Sequence, residues 1–486
     1  MSEIKNIQPT EVWSIFDQML QIPRPSKHEE KIQDWAVKFG EDLGLETIKD
    51  EVGNVIIRKP ATAGMENCKG VIFQGHLDMV PQKNSDKVHD FANDPIEAYV
   101  DGDWVTANGT TLGADNGIGV SSALAVLASK TLKHGPVEVL LTATEETGMD
   151  GAIGLKAGLL NGEILINTDT EDEGTFSIGC AGGIDVIASF KKKMTQKVPK
   201  KSTAFNLKVT GLKGGHSGVD IHLGRGNANK VFFRILKEVN AAFGVSLADI
   251  QGGSLRNAIP REAFGLVLVK AKDADDFVAK VGVLAEEIKA ELINVEPNLS
   301  IELETAEMPK AIIKKGLQKK LTNAVWAAPN DVVRMSDTMP GTVETSSNLA
   351  IVKAGEKTIE VSCLVRSFSE TAKNALASRL ESTFKLAGAS VVLEGSYPGW
   401  KPDVQSEILE VMKDLYTKQF GNAPELLAMH AGLECGILGS TYTNWDMISI
   451  GPTIKFPHSP DEKVNIKTVQ KYWEFLVATL ENIPVK

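Results

Sequence analysis

Cysteine is scarce in this chain: Cys68, Cys180, Cys363 and Cys435 are the only ones in 486 residues. They are far apart and form no C-x-x-C pair, which argues against a disulfide framework and leaves no zinc-knuckle spacing. Reduced thiols in a cytoplasm fit that usage. A surplus of positive charge is also missing. The net charge is −11, with 52 Lys and Arg against 63 Asp and Glu. Nucleic acid and anionic membrane both need a basic face, so neither is expected as a main partner. The one basic cluster, Lys191, Lys192, Lys193, Lys197, Lys200 and Lys201, reads as a solvated loop or linker. No run of about 18 apolar residues occurs, so no membrane-spanning helix is expected. The polar start, residues 1–10 with Glu3, lacks the apolar stretch of a secretory signal. Low-complexity segments and long blocks of like charge are absent too, which argues against disorder.

What remains is the composition of a globular protein, 42% hydrophobic and 24% charged. The length predicts two or three domains. The N-terminal third alternates helices and strands. Ser26-Lys27-His28-Glu29 has the form of a capping box opening a helix to about Leu43. Short apolar runs follow, each leading into polar, acidic or histidine residues. Val71-Ile72-Phe73 leads to Gly75-His76-Leu77-Asp78, and Val137 to Leu141 leads to Glu145-Glu146. Ile164-Leu165-Ile166 leads to Asp169, and Met447 to Ile450 leads through Gly451-Pro452 to His458. Between the first two, Asp115 stands at the start of a helix expected over 118–129. Alternation of this kind predicts an α/β fold with a mixed sheet flanked by helices, and ligand sites in such sheets gather at strand ends.

Residues 187–399 read differently, as an inserted α+β domain with the look of a tandem repeat. The first half predicts strand 205–209, helix 228–243, strand 264–269 and helix 274–292. The second predicts strand 299–303, helix 312–326, strands 349–353 and 358–364, and helix 372–387. Chemistry-bearing residues lie on both sides of this stretch. The expectation is therefore a discontinuous catalytic domain, 1–186 and 400–486, interrupted by a lid at 187–399.

His76, Asp115, Glu146, Asp169 and His458 form one set of candidate metal ligands. Imidazole nitrogen and carboxylate oxygen both suit zinc. Two imidazoles and three carboxylates can hold two ions if one carboxylate bridges, and Asp115 at a helix start is the candidate bridge. Glu145, beside Glu146, is the candidate general base. Asp78 is placed to orient His76. Each residue alone has a plain reading. A histidine after a strand is more often a surface residue than a ligand, and an acidic pair is usually solvated. Their recurrence after four separate apolar runs is what points to a metal hydrolase.

The local sequences around these residues carry a resemblance. Gly-His-Leu-Asp-Met-Val-Pro (75–81), Gly-Ala-Asp-Asn-Gly-Ile-Gly (113–119), Thr-Glu-Glu-Thr-Gly (144–148), Asn-Thr-Asp (167–169), Gly-Gly-His-Ser-Gly (214–218), Arg-Asn-Ala-Ile-Pro (256–260) and Pro-His-Ser-Pro-Asp-Glu (457–462) occur in this order. The chain resembles, over essentially its whole length, the metallopeptidase family that includes carboxypeptidase G, aminoacylases, tripeptidase T and carnosinases. The resemblance implies two zinc ions, with cobalt or manganese as possible substitutes. Asp115, His76 and Asp169 would hold one, and Asp115, Glu146 and His458 the other. It implies Glu145 as base, Asp78 as the support of His76, and His216 in the lid as donor to the oxyanion. Asn257, Arg366 and Gly432 would belong to the substrate site, Arg366 because a guanidinium pairs bidentately with a free carboxylate.

The implied activity is a metallo-dipeptidase acting on unblocked dipeptides such as Xaa-His and β-alanyl-histidine. An N-acyl amino acid amidase of the same chemistry and a catalytically silent peptide binder are the alternatives. In simpler relatives the lid histidine comes from the other subunit. A doubled lid could supply His216 within one chain, so a homodimer stays open. Many relatives also have Gly-Thr-Asp where this chain has Gly432-Leu433-Glu434. His28, His89, His134, His222 and His430 are read as structural or surface residues.

Overall fold

The computed structural model describes residues 3–486, which divide into two compact units. The first combines the chain up to Cys180 with Trp400–Ala428 and Leu433–Lys486; the second is Ala181–Gly399 with Met429–Gly432.

The first unit is built on an eight-stranded mixed sheet. Its order is Glu46–Lys49, Val55–Lys59, Val137–Thr142, Val71–His76, Ile164–Asn167, Asp446–Ser449, Thr175–Cys180, Glu425–Met429. The neighbours Val137–Thr142, Val71–His76, Ile164–Asn167 and Asp446–Ser449 are parallel. They also start level: Val71 pairs with Val137 and Ile164, and Ile164 pairs with Asp446. The segments that follow them therefore leave the sheet along one edge. The first three of these strands are buried at every residue. Parallel strands covered on both faces read as continuous apolar runs, which is why these were visible in the sequence.

Helix Thr10–Leu20 buries Val12, Phe16, Met19 and Leu20, spaced to fall on one face. It packs on helix Ala114–Ala128, which is buried almost throughout. A separate four-stranded sheet joins Ala98–Asp101, Trp104–Ala107, Lys463–Asn465 and Ile454–Lys455. Its last two strands flank the turn that carries His458.

The expected capping box at Ser26 is not made. Ser26 Oγ donates instead to the Met79 carbonyl at 3.3 Å, and the helix begins at Glu30. Glu29 accepts from the Lys27 N–H and the Thr144 hydroxyl. A tertiary contact to the segment after His76 has replaced the local cap.

In the second unit nine strands form one antiparallel sheet. The order is Ser300–Ala306, Ser202–Thr210, Ala263–Lys270, Ser246–Gly252, Val343–Ala354, Thr358–Ser367, Gly182–Lys191, Ser390–Tyr397, with Asp331–Met335 beside Val343–Ala354. Helices Ala228–Phe243, Ala274–Leu292, Lys315–Ala327 and Glu370–Leu386 share a core that includes Phe232, Phe277, Leu321 and Phe384. Strand Gly182–Lys191 runs unbroken through position 186 and pairs along its length with Thr358–Ser367. Its first residues therefore belong with this unit. Met429–Gly432 joins it because the Ala181 N–H is bonded to the carbonyls of Met429 and Ala431.

Strands of the two sequence halves share one sheet: Ser300–Ala306 pairs with Ser202–Thr210, and Gln251 and Gly252 pair with Lys353 and Val352 at a second seam. The chain then turns at Gly253, with φ +72°, and a Cβ there would lie 1.8 Å from the Ala350 carbonyl oxygen. Gly253→Ala combines a left-handed backbone with a backbone clash. It should destabilise this unit by about 2–4 kcal/mol, read as a lower urea midpoint. A midpoint unchanged from the parent protein would contradict this account of the seam.

Candidate active site

The level ends of the parallel strands determine what meets at the sheet edge. His76 closes its strand with its ring buried; its Nδ1 donates to the Asp78 carbonyl at 3.1 Å. In the neutral ring this leaves the Nε2 lone pair facing Asp115 Oδ1 at 3.0 Å and Asp169 Oδ1 at 3.4 Å. On the other side of Asp115, His458 Nε2 lies 3.3 Å from Oδ2 and 2.9 Å from Glu146 Oε2. Asp115 thus stands between two imidazoles, one on each carboxylate oxygen. His76, Asp115 and Asp169 can hold one ion, and Asp115, Glu146 and His458 another, with donor atoms in each set within 4.8 Å of one another.

Backbone hydrogen bonds fix these side chains. The Asp78 carboxylate accepts from the N–H groups of Glu145 and Glu146, at 2.9 and 3.3 Å. It therefore holds the Glu145–Glu146 turn, and its Oδ1 also lies 3.4 Å from His76 Nδ1, beside the Asp78 carbonyl to which that nitrogen donates. Buried Glu462 accepts from the N–H groups of Leu112, Gly113, Ala114 and Asp115, at 2.7 to 3.3 Å. Asn116 donates to Asp169 Oδ1 at 2.6 Å. Arg24, 2% exposed, donates to the carbonyls of Leu77, Asp78 and Gly113. Sequence reasoning missed Arg24 and Glu462 as site residues. Glu462 closes one of the motifs quoted above, whereas Arg24 carries no local signal.

The electrostatics show an excess of buried negative charge. Asp78, Asp115, Glu434 and Glu462 are all less than a tenth exposed. Burial pushes Asp169 up to about 6, Glu434 and Glu462 up to about 7 and Glu171 up to about 8. Glu145 is raised well above the usual range by burial, with Asp169, Glu434 and Glu146 adding to the effect. Hydrogen bonds to Asp115 and Glu146 push His458 up to about 11. Burial alone would lower His76, yet the carboxylates around it raise it well above its ordinary value. Asp115 is held low, because hydrogen bonds from His458 and His76 outweigh its burial. Protonated imidazoles and neutralised acids are how such a cluster behaves when nothing else supplies positive charge. A donor set of two imidazoles and clustered carboxylates, short of fixed cations, fits divalent metal ions. Glu145 also lies within 4.8 Å of donors of His76 and Glu146, but among the described residues its carboxyl has no hydrogen-bond partner, which leaves it free for a proton.

The remaining predicted residues lie in the second unit, where they meet one another. His216 Nδ1 accepts from the Gly218 and Val219 N–H groups at 3.2 and 3.1 Å. Burial, then the charge of Arg366, lowers its pKa, so the ring is neutral with its proton on Nε2. The neighbouring Ser217 N–H donates to the Asn257 carbonyl at 2.8 Å. Arg366 Nε donates to Ser217 Oγ at 3.4 Å and Nη1 to the Tyr397 hydroxyl at 2.9 Å. Gly432 packs against the Tyr397 ring. His430, read as structural, is buried, with Nε2 2.7 Å from Ser346 Oγ.

Known proteins bear on this arrangement. The family model described as Peptidase family M20/M25/M40 matches residues 72–482. The chain is 48% identical over 486 residues to the cytosol non-specific dipeptidase of Escherichia coli (strain K12), covering 100% of each. The crystal structure of aminoacylhistidine dipeptidase from Vibrio alginolyticus superposes with a TM-score of 0.97 at 49% identity, covering 100% of this chain and 99% of that one. Aminopeptidase PepT from Bacillus cereus shares the fold at 16% identity, with a TM-score of 0.57 over 98% of this chain and 99% of its own. A match of this extent, on a chain whose site residues leave the sheet at one edge, places the protein in peptidase family M20/M25/M40.

Proposed function

We propose that this chain is a dinuclear metallo-dipeptidase that hydrolyses unblocked dipeptides such as Xaa-His and β-alanyl-histidine. The observation that carries the reading is the pair of donor sets sharing Asp115, with an unpartnered Glu145 beside them. Asp115, His76 and Asp169 would hold one zinc, and Asp115, Glu146 and His458 the other. Cobalt or manganese could replace zinc in a site so rich in oxygen. When bound, such a pair supplies a polarising charge to the scissile carbonyl and lowers the pKa of the attacking water.

The protein's own groups do the rest. Glu145 removes a proton from the attacking water and delivers it to the leaving amine. Asp78 keeps the backbone of the Glu145–Glu146 turn in place and the ring of His76 oriented. The second unit, centred on residues 187–399, acts as the lid. His216 donates its Nε2 proton to the tetrahedral oxyanion, a role worth roughly 3–4 kcal/mol where a single donor is lost. Arg366 pairs with the free carboxylate of the substrate, and Asn257 and Gly432 shape the same subsite. A cytoplasmic setting belongs to this reading. All four cysteines are free and buried, and the name of the Escherichia coli relative places that protein in the cytosol.

Glu145→Ala should lower kcat about 10²- to 10⁴-fold and leave the metal content of the purified protein unchanged. Retention of more than a tenth of the activity would remove Glu145 from the role of base. The shared position of Asp115 gives a second test, read by elemental analysis alone. Asp115→Ala should strip both metal ions, whereas His458→Ala should strip one. Equal losses in the two variants would contradict the shared ligand.

A further inference from the structure

Arg366 is 5% exposed, yet no carboxylate among the described residues pairs with it. Asp185, which acts on it electrostatically, is engaged by Arg256 at 2.8 Å. A buried guanidinium seldom lacks a counter-ion, because removal of its charge from water is costly without one. Its Nε and one Nη1 hydrogen meet neutral hydroxyls, those of Ser217 and Tyr397. Nη2 and the second hydrogen of Nη1 are left for an anion from outside.

The sheet explains how the Tyr397 hydroxyl reaches this guanidinium. Gly183 sits on the strand between those of Arg366 and Tyr397, and it is the cross-strand partner of both. Directly opposed residues share a face of the sheet. Because Gly183 has no side chain, the Tyr397 ring lies across its position; a Cβ there would be 2.6 Å from the ring and from its hydroxyl. A Cβ on Gly432 would be 3.0 Å from the opposite edge of the ring. The ring is thus held between two glycines. Its backbone is pinned as well: Lys373, fully buried, donates from Nζ to the Tyr397 carbonyl at 2.6 Å and to Glu370 at 2.8 Å.

We propose that Tyr397 is a positioning residue that aims the Arg366 guanidinium at the free carboxylate of a dipeptide, in a slot that Gly183 and Gly432 keep open. This inference rests on the dipeptidase reading and adds a determinant of its specificity. It also gives Gly432 a different task from substrate contact, namely to leave room for the Tyr397 ring.

The test compares a dipeptide bearing a free C-terminal carboxylate with the same dipeptide as its C-terminal amide. Tyr397→Phe keeps the ring and removes only the hydroxyl. It should raise KM for the free acid about tenfold, with kcat within about twofold and KM for the amide unchanged. Gly432→Ala, which displaces the ring by a few tenths of an ångström, should change the two KM values in the same sense by a smaller factor. Equal KM changes for acid and amide would indicate a structural role only and overturn the proposal, as would no change for either. If the parent protein cleaves no dipeptide, the functional reading fails and this inference fails with it. Cleavage by the parent with an unaltered acid-to-amide ratio in Tyr397→Phe sinks this inference alone.

Discussion

Too many acidic groups meet at one edge of the first unit for their own surroundings to neutralise. Asp78, Asp115, Glu145, Glu146, Asp169, Glu434 and Glu462 converge there with two imidazoles, and Arg24 is the buried arginine among them. Unpaired charge in a poorly solvated place is costly unless protons or metal ions compensate for it. Much of the surrounding structure serves to hold these groups together in spite of their repulsion. The level register of the parallel strands delivers them to one edge. Backbone donors then fix them: a row of N–H groups holds Glu462, and the Glu145–Glu146 turn holds Asp78.

The second unit presents the opposite situation. There a cation, Arg366, is buried without an acid, and a neutral histidine offers a proton from Nε2. One unit is short of positive charge and the other holds positive charge short of a partner. On the proposed reading the metal-holding groups belong to the first unit and the carboxylate-binding groups to the second.

The parts of this architecture that follow local rules were legible in the sequence. Buried parallel strands appear as apolar runs, and helices Ala228–Phe243 and Ala274–Leu292 fall where their periodicity predicts. Four of the candidate ligands were visible because each follows such a run, and Asp115 because it stands at the start of a helix. What stayed hidden depends on contacts between residues remote in sequence. Arg24 acts on carbonyls more than fifty positions away. Ser26 has the local pattern of a cap, but a distant carbonyl takes its hydroxyl. The part played by Tyr397 emerges only when the sheet order sets it across Gly183 from Arg366. The pairing that merges the two halves of the second unit, Ser300–Ala306 on Ser202–Thr210 and Gln251 and Gly252 on Lys353 and Val352, is announced by no periodicity.

The most direct test of the central claim is elemental analysis of the purified protein, coupled to hydrolysis of an unblocked dipeptide and of its N-acetyl counterpart before and after chelation. About two metal ions per chain are expected, with dipeptide cleavage lost on chelation and restored by zinc. The N-acetyl compound should be cleaved poorly, and preference for it would point to an amidase instead. A folded protein that binds no metal, and that zinc cannot activate, would contradict the account.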